Sequence, residues 1–189
     1  DLWMALDREV VPKLFDLRAR PVKIWSAGCA AGEEPYTIGM MLKEYAVNTG
    51  RERELSKFSV LGTDIDVESM KQARTARYSA FAFTDIDDEL RSRWFVEPDR
   101  AEVKTEIRNL VKFAELDLIK DKFDSGYHMI MCRNVIIYFE PADWDATNAK
   151  LEAAGVAFIR DAPVTAQIVW ICRCRPSAWA ILPSADRAR

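Results

Sequence analysis

A short strand-like run that breaks at a glycine and gives way to a helical pattern, and then does so again, restricts this chain more than any other feature. Val22-Lys23-Ile24-Trp25-Ser26-Ala27 is rich in β-branched and aromatic residues and stops at Gly28, as a strand does on entering a tight turn. After Glu34-Pro35, the residues Tyr36, Ile38, Met40, Met41, Leu42 and Tyr45 recur at helical spacing. Pro35 fits a first helical position, where its missing N–H costs nothing. A second run, Phe58-Ser59-Val60-Leu61-Gly62-Thr63, leads through Asp64-Ile65-Asp66 into a helical stretch from 67 to 76. Strand, helix, strand, helix in this order predicts an α/β fold, a parallel sheet with helices on its faces.

The alternation breaks over 77–109, a polar stretch with Asp85, Asp87, Asp88 and Glu89, and with Trp94-Phe95, Val103 and Ile107 as isolated apolar positions. A small inserted subdomain or long excursion is expected there. The alternation resumes at Val111-Lys112-Phe113. The apolar run Tyr127-His128-Met129-Ile130-Met131-Cys132 reads as a buried central strand, with Arg133-Asn134 just past it and Val135-Ile136-Ile137-Tyr138-Phe139 following. Beyond residue 140 the patterning weakens: 144–151 fits a helix and 168–172 a strand, but the rest of the tail is poorly patterned.

At 189 residues the chain fits one domain with a small insertion. Its formal charge of −3 argues against a protein that coats nucleic acid, because neutralising phosphates needs a basic excess. No apolar stretch reaches the roughly 18 residues of a membrane span, and the start, Asp1-Leu2-Trp3-Met4, lacks the order of a leader peptide. A cytoplasmic location is expected. Cys29, Cys132, Cys172 and Cys174 are too irregularly spaced for a disulfide framework, and with His128 the single histidine, no metal site is expected.

Three places point to chemistry. The loop Gly28-Cys29-Ala30-Ala31-Gly32 lets backbone N–H groups and a helix N-terminus approach a ligand closely, or is simply a tight turn; its spacing matches neither the dinucleotide fingerprint nor the P-loop. Asp64, ending the second strand, either accepts hydrogen bonds from ribose hydroxyls or caps the next helix, whereas Asp66 reads as the cap. Glu33 and Glu34 either favour the helix dipole or, buried at a cleft, bind a cofactor amine or hydroxyl. Arg133 and Asn134 follow an apolar strand at the edge where open α/β sheets bind ligands. Tyr138 is equally readable as core.

Residues 24–38, from Ile24-Trp25-Ser26-Ala27-Gly28 through Gly32-Glu33-Glu34-Pro35-Tyr36, resemble the signature of the chemotaxis receptor glutamate methyltransferases, the CheR family. Gly62-Thr63-Asp64-Ile65-Asp66 with Ala73 and Tyr78, Phe113-Ala114-Glu115-Leu116-Asp117-Leu118, Phe123-Asp124, and Cys132-Arg133-Asn134 through Tyr138-Phe139 follow in that family's order. The resemblance implies a Rossmann-like class I methyltransferase fold that uses S-adenosylmethionine, yielding S-adenosylhomocysteine, to methylate glutamate side chains on the cytoplasmic domain of chemoreceptors. It implies cofactor-binding positions at Gly28, Gly32, Glu34, Asp64 (the ribose acid), Asp117, Leu118, Arg133 and Asn134, with Arg133 and Tyr138 orienting the substrate carboxylate.

Asp117 stands where the family usually has asparagine, which exchanges two amide donors for acceptors. The resemblance also divides the chain into a methyltransferase core over 1–140, with 77–109 as the family's small β-subdomain, and a divergent segment over 141–189. It places residue 1 just after the family's helical N-terminal domain. The family's closing Gly-His-Ser-Glu block is absent, so 141–189 is either a divergent end or the product of a shifted frame. A non-catalytic domain that binds the cofactor product or a partner is the alternative function.

Overall fold

A computed structural model describes residues 2–79, 88–96, 101–133, 135, 138–140, 143, 146–147, 149–150 and 167–170. Among these, five strands form one sheet in the order β5-β2-β1-β6-β7. They are β1 (Val22–Ala27), β2 (Phe58–Asp64), β5 (Val111–Glu115), β6 (Met129–Arg133) and β7 (Gln167–Trp170). The first four are mutually parallel, and β7 runs antiparallel to β6. The intervening helices are α3 (Glu33–Thr49), α4 (Val67–Thr75), α5 (Asp88–Trp94) and α6 (Thr105–Arg108), with a 3-10 turn at Glu52–Lys57.

The two faces of the sheet follow from side-chain alternation. On β1 and β6, Val22, Ile24, Met129 and Met131 join Leu42, Ala46 and Ile107 in the larger core, while Trp25, Ala27, Ile130 and Cys132 pack with Leu118 and Tyr127 on the other side. Burial on both faces explains why 129–132 reads as an unbroken apolar run. Tyr127 and His128 precede the strand instead of opening it: the His128 N–H donates to Lys23 O at 2.8 Å, and His128 Nδ1 accepts from Lys23 N at 3.1 Å. Trp25, fully buried, satisfies its indole N–H on Thr63 Oγ1 at 2.8 Å.

Three sequence expectations shift. Helix α3 starts at Glu33, so Pro35 occupies the third helical position, still within the turn whose N–H groups have no intrahelical partner. Helix α4 ends at Thr75 because Ala76 turns left-handed at φ 56°. At the start of α4, Asp66 accepts from the N–H groups of Glu68 and Ser69, a cap worth about 1 kcal/mol. The excursion contains a two-stranded antiparallel ribbon, β3 (Arg77–Tyr78) with β4 (Ala101–Glu102). It is not set apart, since Trp94, Phe95, Val103 and Ile107 are buried in the larger core. Residues 80–87 and 97–100 of it lie outside the described residues.

An N-terminal helical run was not anticipated: α1 (Leu2–Ala5), a π-helical turn (Leu6–Val10) and α2 (Val11–Asp16). Leu6, Val10, Leu14 and Phe15 bury one side of it in the larger core. Among the described residues, no helix is long and apolar enough to cross a membrane. Parts of the expected 144–151 helix are helical, and β7 overlaps the expected 168–172 strand but begins one residue earlier, at Gln167, whereas the tail from 171 onwards lies outside the described residues.

Candidate functional site

The chain lays β2 and β5 on one side of β1 and then β6 on the other, so the strand order reverses at β1 and β6. In open α/β sheets ligands bind outside the carboxyl ends of strands at such a reversal. The loop leaving β1, Asp64 ending β2 and Arg133 ending β6 all stand at those carboxyl ends.

The Gly28–Gly32 loop is hooked onto β2. The N–H groups of Gly28 and Cys29 both donate to Thr63 O, at 2.8 and 2.9 Å. Gly28 has φ 73° and Gly32 φ 93°, a region open to glycine at little cost. A Cβ on Gly28 would meet Val135 Cγ2 at 2.0 Å, so the loop passes close under the segment following β6. Gly32 caps α3 with no side-chain hydrogen bond, so the first-turn N–H groups of this 17-residue helix receive no acceptor from a capping side chain.

Of the two roles the sequence left open for Asp64, the structure removes the helix cap, which falls to Asp66. The Asp64 Oδ2 accepts the Ala30 N–H at 2.8 Å and its Oδ1 accepts the Asp66 N–H at 3.0 Å. The carboxylate therefore shapes the loop, and each oxygen keeps a lone pair for a further donor.

Glu34 lies deeper. Its Oε1 accepts from the buried Ser26 hydroxyl at 2.7 Å, and its Oε2 is 3.9 Å from Arg133 Nη1, an ion pair too long to be a hydrogen bond. Burial pushes the Glu34 carboxyl above its ordinary range, with the Ser26 hydroxyl and the Arg133 charge pulling the other way. The Arg133 guanidinium stacks on the Trp3 ring at 5.4 Å, and its buried Nε has no hydrogen-bond partner among the described residues. Buried donors without acceptors are rare in folded chains, and this one sits beside a carboxylate with spare acceptor capacity.

The remaining predicted residues spread outward. Asp117 caps the turn after β5: its Oδ1 accepts from the N–H groups of Ile119 and Lys120 at 2.9 and 3.1 Å, and its Oδ2 pairs with Lys120 Nζ at 3.2 Å. Burial works to raise this carboxyl, but those N–H groups and the lysine charge hold it below its ordinary value. An asparagine oxygen accepts the same N–H bonds, so the departure from the family residue leaves the turn intact. Leu118 is 6% exposed and its side chain packs in the core. Tyr138 is 81% exposed, and the core reading of it is wrong. Asn134 lies outside the described residues.

Sequence reasoning missed Ser26, Trp3 and Lys150. The Lys150 ammonium donates to the carbonyls of Leu118, Ile119 and Asp121 and so fastens the turn that carries Asp117. A serine following the apolar Ile24-Trp25 pair, one residue before the strand end, was a usable signal for Ser26. Trp3 and Lys150 act across long sequence separations that no local pattern reveals.

These groups fit S-adenosylmethionine, which offers an ammonium, a carboxylate and a ribose diol to be held. Glu34 suits the ammonium, the unpartnered Arg133 donor a carboxylate, and the free lone pairs of Asp64 the diol. Among the described residues, the buried thiols of Cys29 and Cys132 are poor nucleophiles: burial pushes Cys132 up to about 12 and, with the Asp64 and Glu34 charges, raises Cys29 as well.

The family model for the CheR methyltransferase SAM-binding domain matches residues 1–159. The chain is 33% identical over 162 residues to a chemotaxis protein methyltransferase of Listeria monocytogenes, covering 83% of this chain and 59% of that protein. It is 35% identical over 143 residues to a chemotaxis protein methyltransferase of Borreliella burgdorferi, covering 71% of this chain and 50% of the relative. The chain thus spans between half and three fifths of the length of these relatives. The match takes in 1–21 and 140–159, beyond the blocks legible in the sequence.

Proposed function

The chain belongs to the CheR methyltransferase family through its S-adenosylmethionine-binding domain, and we propose that it is the catalytic core of a cytoplasmic enzyme methylating glutamate side chains of chemoreceptors. The observation that carries the reading is the Glu34–Arg133 pair, a carboxylate and a guanidinium with unused hydrogen-bonding capacity at the sheet reversal. In this reading Gly28, Gly32, Glu34, Asp64, Asp117, Leu118, Arg133 and Asn134 hold the cofactor. The core runs over 1–140 with 77–109 inserted, and 141–189 flanks it. The partner is the cytoplasmic part of a receptor, with no nucleic acid and no membrane insertion involved.

Bound S-adenosylmethionine supplies a methyl group on a positively charged sulfur, which departs with the bonding electrons. The chain's own task is modest. A glutamate carboxylate has an ordinary pKa near about 4.3, so it is ionised at neutral pH and needs no general base. Arg133 and the exposed phenol of Tyr138 orient that carboxylate, and the loop and Glu34 fix its reaction partner, so that alignment and exclusion of water account for the rate. No proton changes hands in the methyl transfer.

Titration with S-adenosylhomocysteine tests the binding, and transfer of labelled methyl to receptor-bearing membranes, released as methanol by base, tests the activity. Binding together with base-labile label is the expected result. Binding without label would favour the non-catalytic alternative, and no binding at about 1 mM, a free energy near 4 kcal/mol, would remove both.

Glu34 adds a pH signature. Its raised folded-state pKa means that the fold holds the Glu34 proton more tightly than the unfolded chain does, and that contribution to stability is lost as pH rises through the folded pKa. An ammonium ligand needs the ionised form. Affinity for S-adenosylhomocysteine is therefore expected to fall on acidification before pH reaches the ordinary carboxylate range. Calorimetry between about pH 5 and 8 checks this against Glu34→Gln, whose weaker binding should lose that slope. An identical slope in the variant would assign the titration elsewhere.

A further inference from the structure

Tyr78, in the ribbon strand β3, reaches out of the excursion to the loop. Its hydroxyl donates to the carbonyl of Ala31 at 2.9 Å across 47 residues of sequence. The other end of the same peptide unit, the Gly32 N–H, donates to Cys29 O at 2.9 Å. Both ends of one peptide plane are therefore pinned. That plane turns on ψ of Ala31 and φ of Gly32, and glycine accepts either sign of φ, so nothing intrinsic to the chain selects its orientation. It leads into Gly32, the residue that caps α3 two positions ahead of Glu34.

We propose that Tyr78 is a positioning residue for the cofactor site: its hydroxyl selects the orientation of the Ala31–Gly32 peptide and so aims the start of α3, with Glu34, into the crevice. The proposal rests on the reading of this loop as the cofactor site. Burial raises the Tyr78 phenol far above its ordinary value, so it stays a protonated donor at any working pH. Its ring stands edge-on to Tyr36 at 6.2 Å and 81°, a contact that helps hold the phenol in place.

Tyr36 provides a matched control. Its hydroxyl donates to Ala73 O at 3.0 Å, a similar buried bond that does not touch the loop. Tyr78→Phe is expected to weaken S-adenosylhomocysteine binding about tenfold, near 1.4 kcal/mol, and to raise KM for S-adenosylmethionine with kcat little changed. Tyr36→Phe is expected to lower the melting temperature with affinity within about twofold of the parent. Parent-like affinity in Tyr78→Phe would overturn the proposal, as would equal weakening in both variants, the mark of a general packing loss. A parent protein that does not bind the product at all would instead overturn the reading of the loop.

Discussion

Replacing Asp64 by alanine is expected to weaken S-adenosylhomocysteine binding by about 100-fold or more. A carboxylate accepting from a ribose diol makes charge-assisted hydrogen bonds worth about 1.5–3 kcal/mol each, and two of them reach that loss. A second cost comes from the protein itself. The Ala30 N–H now donates to Asp64 Oδ2 at 2.8 Å, and Ala30 holds φ 47°, a left-handed conformation that alanine adopts only when its surroundings impose it. Without the carboxylate the loop loses that tie as well as the ligand's acceptor. Asp64→Asn is the milder change, because the amide oxygen can still accept the Ala30 N–H, whereas the amide nitrogen can accept neither the Asp66 N–H nor a ligand hydroxyl. Both its affinity by isothermal titration and its thermal stability should fall between those of the parent and the alanine variant. An alanine variant that binds normally would make Asp64 a loop tie and nothing more.

Asp64 also shows where the sequence stops being informative. Its position at the end of β2 followed from the apolar run before it and the helical pattern after it, and Asp66 was legible as a cap because capping acts over three residues. The partner that decides the role of Asp64, the Ala30 N–H, is 34 residues away and depends on a backbone angle that no periodicity encodes. Strands β1 and β2 were legible for a related reason, since both are bounded by residues with strong local preferences. The N-terminal run was passed over although Leu6, Val10 and Leu14 sit at helical spacing. Pro12 falls in the first turn of α2, where the missing N–H is not needed. In the excursion the isolated Trp94, Phe95, Val103 and Ile107 gave no period, because each is buried by the main core and not by its own neighbours.

Gly28→Ala should be the more damaging loop substitution. Two separable effects act on it. The first is conformational: φ 73° costs a residue with a Cβ about 1–2 kcal/mol. The second is steric, because the new Cβ would lie 2.0 Å from Val135 Cγ2 and 3.2 Å from Val135 Cβ, so the segment after β6 must retreat or the loop must open. Overpacking of this kind costs about 1–3 kcal/mol. Together these come to about 2–5 kcal/mol, and at about 2–4 °C per kcal/mol for a chain of this size the melting temperature should fall by several degrees at least. Binding of S-adenosylhomocysteine should fall beyond detection, since Val135 lies two residues from Arg133 and moves the crevice wall with it. Gly50 offers the control: it has φ 68°, but nothing lies within 4 Å of a Cβ built there. Gly50→Ala should therefore show the conformational cost alone, with unchanged affinity. Adding Val135→Ala to Gly28→Ala removes the 2.0 Å contact and should restore part of the affinity while the conformational cost remains. If the double variant binds no better than the single one, the left-handed turn itself, and not the close passage under Val135, is what the site requires of Gly28.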